Sequence, residues 1–161
     1  MVLAGNRSAI IKLLKEAVDK FGKLLPHKEV KCKKVGIVGE IFLKFNGFAN
    51  KNLIRWLIDQ GIEVIPPMLT PFFTQSFVNR EINVKNKLDK SLMPKFVYDF
   101  LYQLVNKEIS KFNKILSRFR YPVKLEDIYE LAKGVKEVLP LYTQFGEGWL
   151  LPAEIVSYAK S

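Results

Sequence analysis

The sequence predicts an α/β fold: a Rossmann-like parallel sheet of few strands with flanking helices and a helical insertion. Two short β-branched runs, at residues 33–40 and 62–65, are typical of strands. A helical pattern that Gly61 ends lies between them, so strand, helix, glycine and strand fit one βαβ unit. Longer segments with apolar residues at three- and four-residue spacing lie on both sides of this unit and predict the surrounding helices.

The first predicted element is a helix from Ser8 to about Leu25, because its apolar residues recur every three or four positions. Ser8 can cap it, and Pro26 ends it. The run at residues 33–40 follows a polar connector. Its composition is typical of a strand that is buried on both faces of a parallel sheet.

The connection of the βαβ unit is predicted as a loop over residues 41–49, where Asn46 and Gly47 permit a tight backbone, and then a helix. Asn50 can cap that helix, which runs to Gln60. Phe42, Phe45, Phe48 and Trp56 are expected to pack the crossover helix. As an alternative, Phe45 and Phe48 line a pocket for the apolar portion of a ligand.

The second half is predicted to be mainly helical. A short amphipathic helix fits residues 71–78, whereas residues 79–90 are too polar to assign. Helical spacing returns at residues 93–118, as one helix or two, and at 125–138. Residues 139–145 are expected to form a third strand, at the sheet edge because of Pro140; a turn at 146–149 and a helix opened by Pro152 follow. The expected organisation is one α/β domain over residues 1–161, with a helical insertion at 91–138.

The formal charge of +10 is unevenly distributed. Residues 12–34 carry eight lysines against three acids, and residues 80–120 carry ten Lys and Arg against four acids. Lysines alternate with apolar positions there, which is typical of solvated helix faces, and no arginine cluster is interleaved with aromatic residues. Nucleic acid is therefore a disfavoured partner. The alternative left open is a non-enzymatic module whose Lys-rich helices dock an acidic protein or nucleic acid.

Cofactor and compartment predictions rest on a few residues. Cys32 is the only cysteine, so a 4Fe–4S cluster would need cysteines from another segment or chain, and we expect no cofactor or metal in this chain alone. His27, the only histidine, fits a solvated connector. No apolar run approaches a membrane span and no secretory signal is visible, so a cytoplasmic protein without a membrane partner is expected.

Two strand-to-helix junctions, at residues 39–50 and 146–152, are the candidate ligand sites, because helix N-termini at a sheet edge offer unpaired N–H groups. The candidate ligand-binding residues are Gly39, Glu40, Lys44, Asn46, Asn50, Gly146, Glu147, Gly148 and Trp149. The alternative is purely structural: the glycines serve turns and the two glutamates serve helix ends. No phosphate-loop motif or catalytic triad is present, so no catalytic residue is assigned.

Residues 35–50, VGIVGEIFLKFNGFAN, closely resemble a segment of the large CoA-substrate-specific enzyme activases, also described as activator-related 2-hydroxyglutaryl-CoA dehydratase proteins. Residues 144–154, QFGEGWLLPAE, resemble the G-E-G-W-x-L segment of the same family, in the expected order. The similarity covers about residues 28–159. Gly47 and Pro152 depart from the family pattern, where proline and a hydroxyl residue are usual, and these departures concern loop shape.

The resemblance implies a part in an ATP-driven lyase system. In it an activator passes an electron through an iron–sulfur cluster, and a dehydratase component with its own cluster eliminates water from a 2-hydroxyacyl-CoA. The nucleotide-binding domain and the cysteine-bearing segment of the family are not within these 161 residues. The implied chain is therefore one domain of a larger assembly, inactive alone, with a dehydratase or activator partner domain and acyl-CoA as the candidate ligand.

Overall fold

The computed structural model describes residues 6–24, 32–90, 93–121 and 124–160. Helices dominate these residues, together with two strands. The elements in chain order are α1 (Arg7–Leu24), β1 (Lys34–Gly36), α2 (Ile41–Phe45), α3 (Leu53–Asp59), β2 (Glu63–Ile65), α4 (Thr70–Lys85), α5 (Lys95–Leu116), α6 (Ile128–Val135) and α7 (Leu150–Lys160).

The chain forms two compact units, each made of two segments. The first unit combines Met1–Val30 with Phe100–Leu125, and the second combines Lys31–Asp99 with Glu126–Ser161. The expected single domain with an insertion at residues 91–138 stays a prediction.

The sheet of the second unit pairs β1 with β2 in parallel, with Val35 opposite Val64. Since α2 and α3 lie in the connection, the predicted strand–helix–strand order is confirmed, and the described residues have α/β character in a mainly helical chain. The prediction of a strand buried on both faces is wrong. Strand β1 is three residues long and Val35 is 37% exposed, so one side of this short ribbon faces solvent.

Three local predictions are corrected by hydrogen bonds. Residues 41–45 form a helix instead of a loop, because the Glu40 side chain accepts a hydrogen bond from the Leu43 N–H and caps it. The cap of α1 is Asn6, one turn before Ala9, rather than Ser8. Residues 139–145 form turns instead of a strand, and the Thr143 N–H donates to the Pro140 carbonyl.

Helix α4 extends through the polar stretch that the sequence left unassigned. Its buried residues, Pro71, Thr74 and Val78, recur at three- and four-residue spacing and anchor one face. The polar side chain of Thr74 is satisfied within the helix by the Thr70 carbonyl, 2.9 Å away. The long segment after it is one helix, α5, which resolves the predicted choice between one helix and two.

The core of the second unit lies mainly between α6 and α7. Asp127 caps α6 by accepting from the Tyr129 N–H at 2.8 Å. The most buried side chains are Ile128, Val135, Trp149 and Leu150. Strand β1 also packs here: a Cβ at Gly36 would lie 2.4 Å from the Tyr158 ring, so only glycine permits this approach.

The first unit contains α1 and most of α5. Val18 and Ile115 are its buried apolar residues in the described part of the chain. The backbone N–H and carbonyl of Leu125 both bond the Asn113 amide, at 2.8 and 2.9 Å, which fixes the chain after α5. None of the described helices is long and apolar enough to cross a membrane.

Candidate functional site

The two candidate junctions meet in the second unit. The Glu147 carboxylate accepts a hydrogen bond from the backbone N–H of Ile41, 106 positions earlier in the chain. Ile41 is the first residue of α2, whose opening N–H groups have no partner inside the helix. The two blocks that the sequence analysis singled out therefore share one structural connection, and a ligand-binding role for them stays a prediction.

A buried lysine lies at the centre of this connection. Lys44, on α2, is 3% exposed, and its Nζ lies 2.9 and 3.0 Å from the two carboxylate oxygens of Glu154 on α7. The same Nζ is 3.7 Å from Oε2 of Glu147. Both carboxylates are also buried, at 5% exposure for Glu147 and 4% for Glu154. We call these three side chains the buried network.

One ammonium and two carboxylates give the buried network a formal charge of −1 when all three are ionised. Burial raises the pKa of the Glu154 carboxyl, the Lys44 ammonium offsets part of that rise, and the negative charges of Glu147 and Glu126 add to it. In the described residues Oε2 of Glu147 accepts no hydrogen bond, so it depends on the charge of Lys44. The Glu154 carboxyl therefore holds a proton more readily than an exposed carboxyl does.

The remaining candidates of the first junction serve its backbone. Glu40 is exposed, and its carboxylate lies 3.1 Å from the Leu43 N–H that it caps. Asn46 accepts from the backbone N–H groups of Phe48 and Ala49. Asn50 donates to the carbonyls at the end of α2, and a Cβ at Gly39 would meet nothing within 4 Å. These contacts favour the structural interpretation, in which Glu40 and Glu147 both serve the start of α2.

The candidates of the second junction form the predicted turn. Gly146 has φ +63°, in the left-handed region that glycine occupies at little cost. A Cβ at Gly148 would lie 2.1 Å from the Thr143 carbonyl oxygen, so that position excludes any side chain. Trp149 is 1% exposed and its indole N–H donates to Oδ1 of Asn79 at 2.7 Å. The turn thereby joins α4 to the start of α7.

Two residues of this site were missed by sequence reasoning. Glu154 is not among the candidate residues of the sequence analysis, and Asn79 lies in the stretch that was too polar to assign. The sequence does contain a signal for Glu154. Lys44 and Glu154 are each the single charge within an apolar run, IFLKF and PAEIV. Charges inside such runs are costly to bury unless they are paired with each other.

The phenylalanines of both blocks are exposed. Phe42 is 64%, Phe48 93% and Phe145 100% exposed, and Trp56 of α3 is 57% exposed. The expectation that Phe42, Phe45, Phe48 and Trp56 pack the crossover helix is therefore wrong, because all four are exposed, Phe45 the least at 48%. Four exposed phenyl rings, at 42, 45, 48 and 145, flank the residues of the buried network in sequence.

The donor set does not fit an iron–sulfur cluster held by this chain alone. Cys32 is its only cysteine, and the described residues contain no group of three or more His, Cys, Asp or Glu side chains placed to hold a metal ion.

Neither a protein-family model nor a curated protein nor a solved structure matches the chain.

Proposed function

We propose that this chain is a domain of a 2-hydroxyacyl-CoA dehydratase activator-related protein, which docks a dehydratase or activator partner domain. In this proposal it contributes to a CoA-ester or iron–sulfur pocket and is not catalytic alone. One observation supports this proposal above the others. Glu147 of the second block of family resemblance accepts the Ile41 N–H of the first block and pairs with its Lys44. The β1–β2 pair with its crossover helices would then be the centre of a Rossmann-like arrangement.

The exposed phenyl rings support docking as the main role. Phe48 and Phe145 are almost fully exposed although they belong to the blocks that the buried network holds in place. Exposed apolar side chains concentrated in one part of a chain mark surfaces that other molecules cover. Exposed apolar side chains on a rigidly held backbone are what a partner domain, or the apolar arm of an acyl-CoA, requires.

The lysine and glutamates of the buried network are assigned a supporting role in this proposal. Glu147 uses one oxygen for the Ile41 N–H, and Lys44 is surrounded by carboxylates, so neither is directed at a ligand. Chemistry on a 2-hydroxyacyl-CoA would therefore have to come from the partner domain. This chain would fix the position of the loops that the partner and the thioester contact.

Titration of the chain with acetyl-CoA tests the ligand part of the proposal. We expect measurable heat of binding, and at least about fivefold weaker binding for Phe48→Ser, because one removed apolar contact is worth roughly 1 kcal/mol or more. Phe96→Ser is the matched control, since Phe96 is 72% exposed and lies outside both blocks. Equal affinities for the two variants, or no binding by the wild type, would overturn the acyl-CoA assignment.

Reconstitution with iron and sulfide tests the claim that a cluster needs a second chain. The purified chain should yield no stoichiometric four-iron centre by absorbance and iron analysis, because one cysteine cannot supply the ligands. A stoichiometric centre that survives desalting would contradict this part of the proposal.

A second candidate function, an interaction module for an acidic protein or nucleic acid, is favoured by the charge of the first unit. Its described residues, 6–24, 100–121 and 124–125, hold eleven Lys and Arg against Glu16, Asp19 and Glu108. Ion pairs to Asp19 and Glu108 engage Arg118, Arg7 and Lys111. Several lysines of α1 and α5 remain on exposed positions, which fits attraction to a polyanion.

Fluorescence anisotropy with an arbitrary labelled duplex DNA separates the two functions. The interaction module predicts binding that weakens steeply as salt rises, because phosphate contacts release counterions. The double variant Lys12→Gln/Lys15→Gln should then bind more weakly and with a smaller salt slope than the control Lys33→Gln/Lys160→Gln, which alters exposed lysines of the second unit. Absence of salt-dependent binding would remove this candidate.

A further inference from the structure

The second unit contains a cavity of about 310 Å³ that neither proposed function uses. It is bounded by the last turns of α4, the first turn of α5 and the start of α6. Its volume is at the lower end of the roughly 300–1,000 Å³ range of small-molecule sites. Aromatic and charged side chains line it together, which is the composition expected of a site for an amphipathic ligand rather than of a packing defect.

One wall of the cavity is aromatic and is fixed in place. The rings of Phe77 and Tyr98 meet edge to face, with centroids 6.2 Å apart. The guanidinium carbon of Arg80 lies 3.3 Å from the centroid of the Tyr98 ring, and Arg80 also donates a hydrogen bond to the Met93 carbonyl. The wall therefore combines two aromatic rings with the Arg80 guanidinium, which covers one face of Tyr98.

The acidic groups of the cavity are already engaged. The Asp99 carboxylate pairs with Lys95 at 2.9 Å. The Glu81 carboxylate accepts the Tyr129 hydroxyl, and the pKa of Tyr129 is raised to about 12, mainly by burial and then by the charge of Glu81. Both carboxylates therefore already have a partner within the cavity wall.

One cationic group of the cavity, the Lys85 ammonium, forms no ion pair with a described carboxylate. No described carboxylate lies within 4 Å of the Lys85 ammonium, which is on the exposed last turn of α4. The charged residues of the lining are Arg80, Lys85 and Lys95 against Glu81 and Asp99, a formal excess of one positive charge. Lys85 can therefore give three hydrogen bonds to an anion.

A second, smaller cavity of about 210 Å³ adds to this positive potential. It shares Glu81 and Tyr129 with the first cavity, so the two adjoin at that hydrogen-bonded pair. It contributes Lys133 and Lys136 and no further acid. Anions are therefore attracted toward the same part of the second unit from both cavities.

We propose that the larger cavity binds a small organic anion with a planar apolar body, such as an aryl phosphate or aryl carboxylate. The ring would lie against Tyr98 and Phe77, and the anionic group would bond to the Lys85 ammonium. The site is independent of the acyl-CoA and docking proposals, because it uses none of the residues of the two blocks.

Phenyl phosphate is the probe that tests this site, by isothermal titration or by amide chemical shifts of the full chain. We expect saturable binding, and at least about tenfold weaker binding of both inorganic phosphate and benzyl alcohol, which lack the ring and the charge respectively. Benzyl alcohol binding as tightly as phenyl phosphate, or no saturable binding at millimolar phenyl phosphate, would overturn the proposal.

The variant Lys85→Gln is the decisive one, since Lys85 is exposed and its replacement should leave the fold intact. It should weaken phenyl phosphate roughly tenfold, the usual consequence of losing a hydrogen bond to a charged group, and leave benzyl alcohol unchanged. Lys107→Gln, on the exposed surface of α5 in the first unit, should leave both affinities unchanged. Equal loss in the two variants would show nonspecific attraction and overturn the assignment to this cavity.

Discussion

The carboxylate of Glu147 and the backbone N–H of Ile41 are hydrogen-bonded although 106 positions separate them in the chain. Glu40 accepts from the Leu43 N–H of the same helix. Helix α2 thus begins with two glutamate acceptors, one distant, buried and bonded to its first residue, and one local and exposed. The positive end of the helix favours both charges, and the buried one also binds a distant segment of the chain.

The two acceptors should differ in their contribution to stability. Glu40→Ala should lower the free energy of unfolding by about 1 kcal/mol, the usual loss for an exposed N-cap. Glu147→Ala should cost about 2–3 kcal/mol, because it leaves the Ile41 N–H without its acceptor and removes a buried charge beside Lys44. Urea unfolding followed by circular dichroism measures both. Equal losses would show that the distant bond contributes no more than the local one.

The Lys44 ammonium should be the most sensitive group of the buried network. Lys44→Ala should lower the free energy of unfolding by about 3–5 kcal/mol, because two enclosed carboxylates then lose the cation between them. Lys160→Ala, which removes an exposed lysine at the end of α7, is the control and should change stability by less than about 0.5 kcal/mol. A loss below 1 kcal/mol for Lys44→Ala would mean that water reaches the carboxylates.

Two glycines of the candidate junctions should respond differently to a methyl group. Gly148→Ala would place Cβ 2.1 Å from the Thr143 carbonyl oxygen, so the turn must shift, at a cost of about 1–3 kcal/mol or more. Gly39→Ala meets nothing within 4 Å and should cost little. Thermal unfolding compares the two variants. Matched melting temperatures would contradict the crowding at residue 148.

Stability should depend on pH through Glu154. Burial raises the pKa of its carboxyl above the ordinary value of 4.5, so the folded chain binds that proton more tightly than the unfolded chain does. Protonation therefore stabilises the folded chain, and this contribution grows as pH falls from the folded pKa toward 4.5. Over that window wild type should gain stability relative to Glu154→Gln, measured by urea unfolding. A difference that stays constant with pH would argue against the raised pKa.

The parts of the fold that follow from local pattern were predictable. The β-branched runs before and after a helix ended by Gly61 encode the parallel pairing of β1 with β2, and Gly146 encodes the turn in the second block. The strand predicted for residues 139–145 failed because β-propensity alone does not supply a neighbouring strand. The backbone of these residues forms hydrogen bonds within turns, and proline is readily accommodated in a turn.

The buried network was beyond local pattern because its contacts join distant segments. The sequence around Lys44 does not predict that Glu154 is its partner. The sequence around Asn79 likewise does not predict its hydrogen bond from the Trp149 indole. Asn79, in the polar second half of α4, accepts such a distant hydrogen bond. The sequence located the two junctions, but it did not distinguish a ligand site from the capping and ion pairing that the structure has there.

The separation of Lys44 from Glu154 has a consequence for biosynthesis. The ribosome adds Lys44 110 residues before it adds Glu154, so during most of translation the ammonium has no carboxylate to enclose it and must remain hydrated. Helix α2 can reach its final environment only after helix α7 has left the exit tunnel. The enclosure of Lys44 is therefore a late event relative to the synthesis of α2.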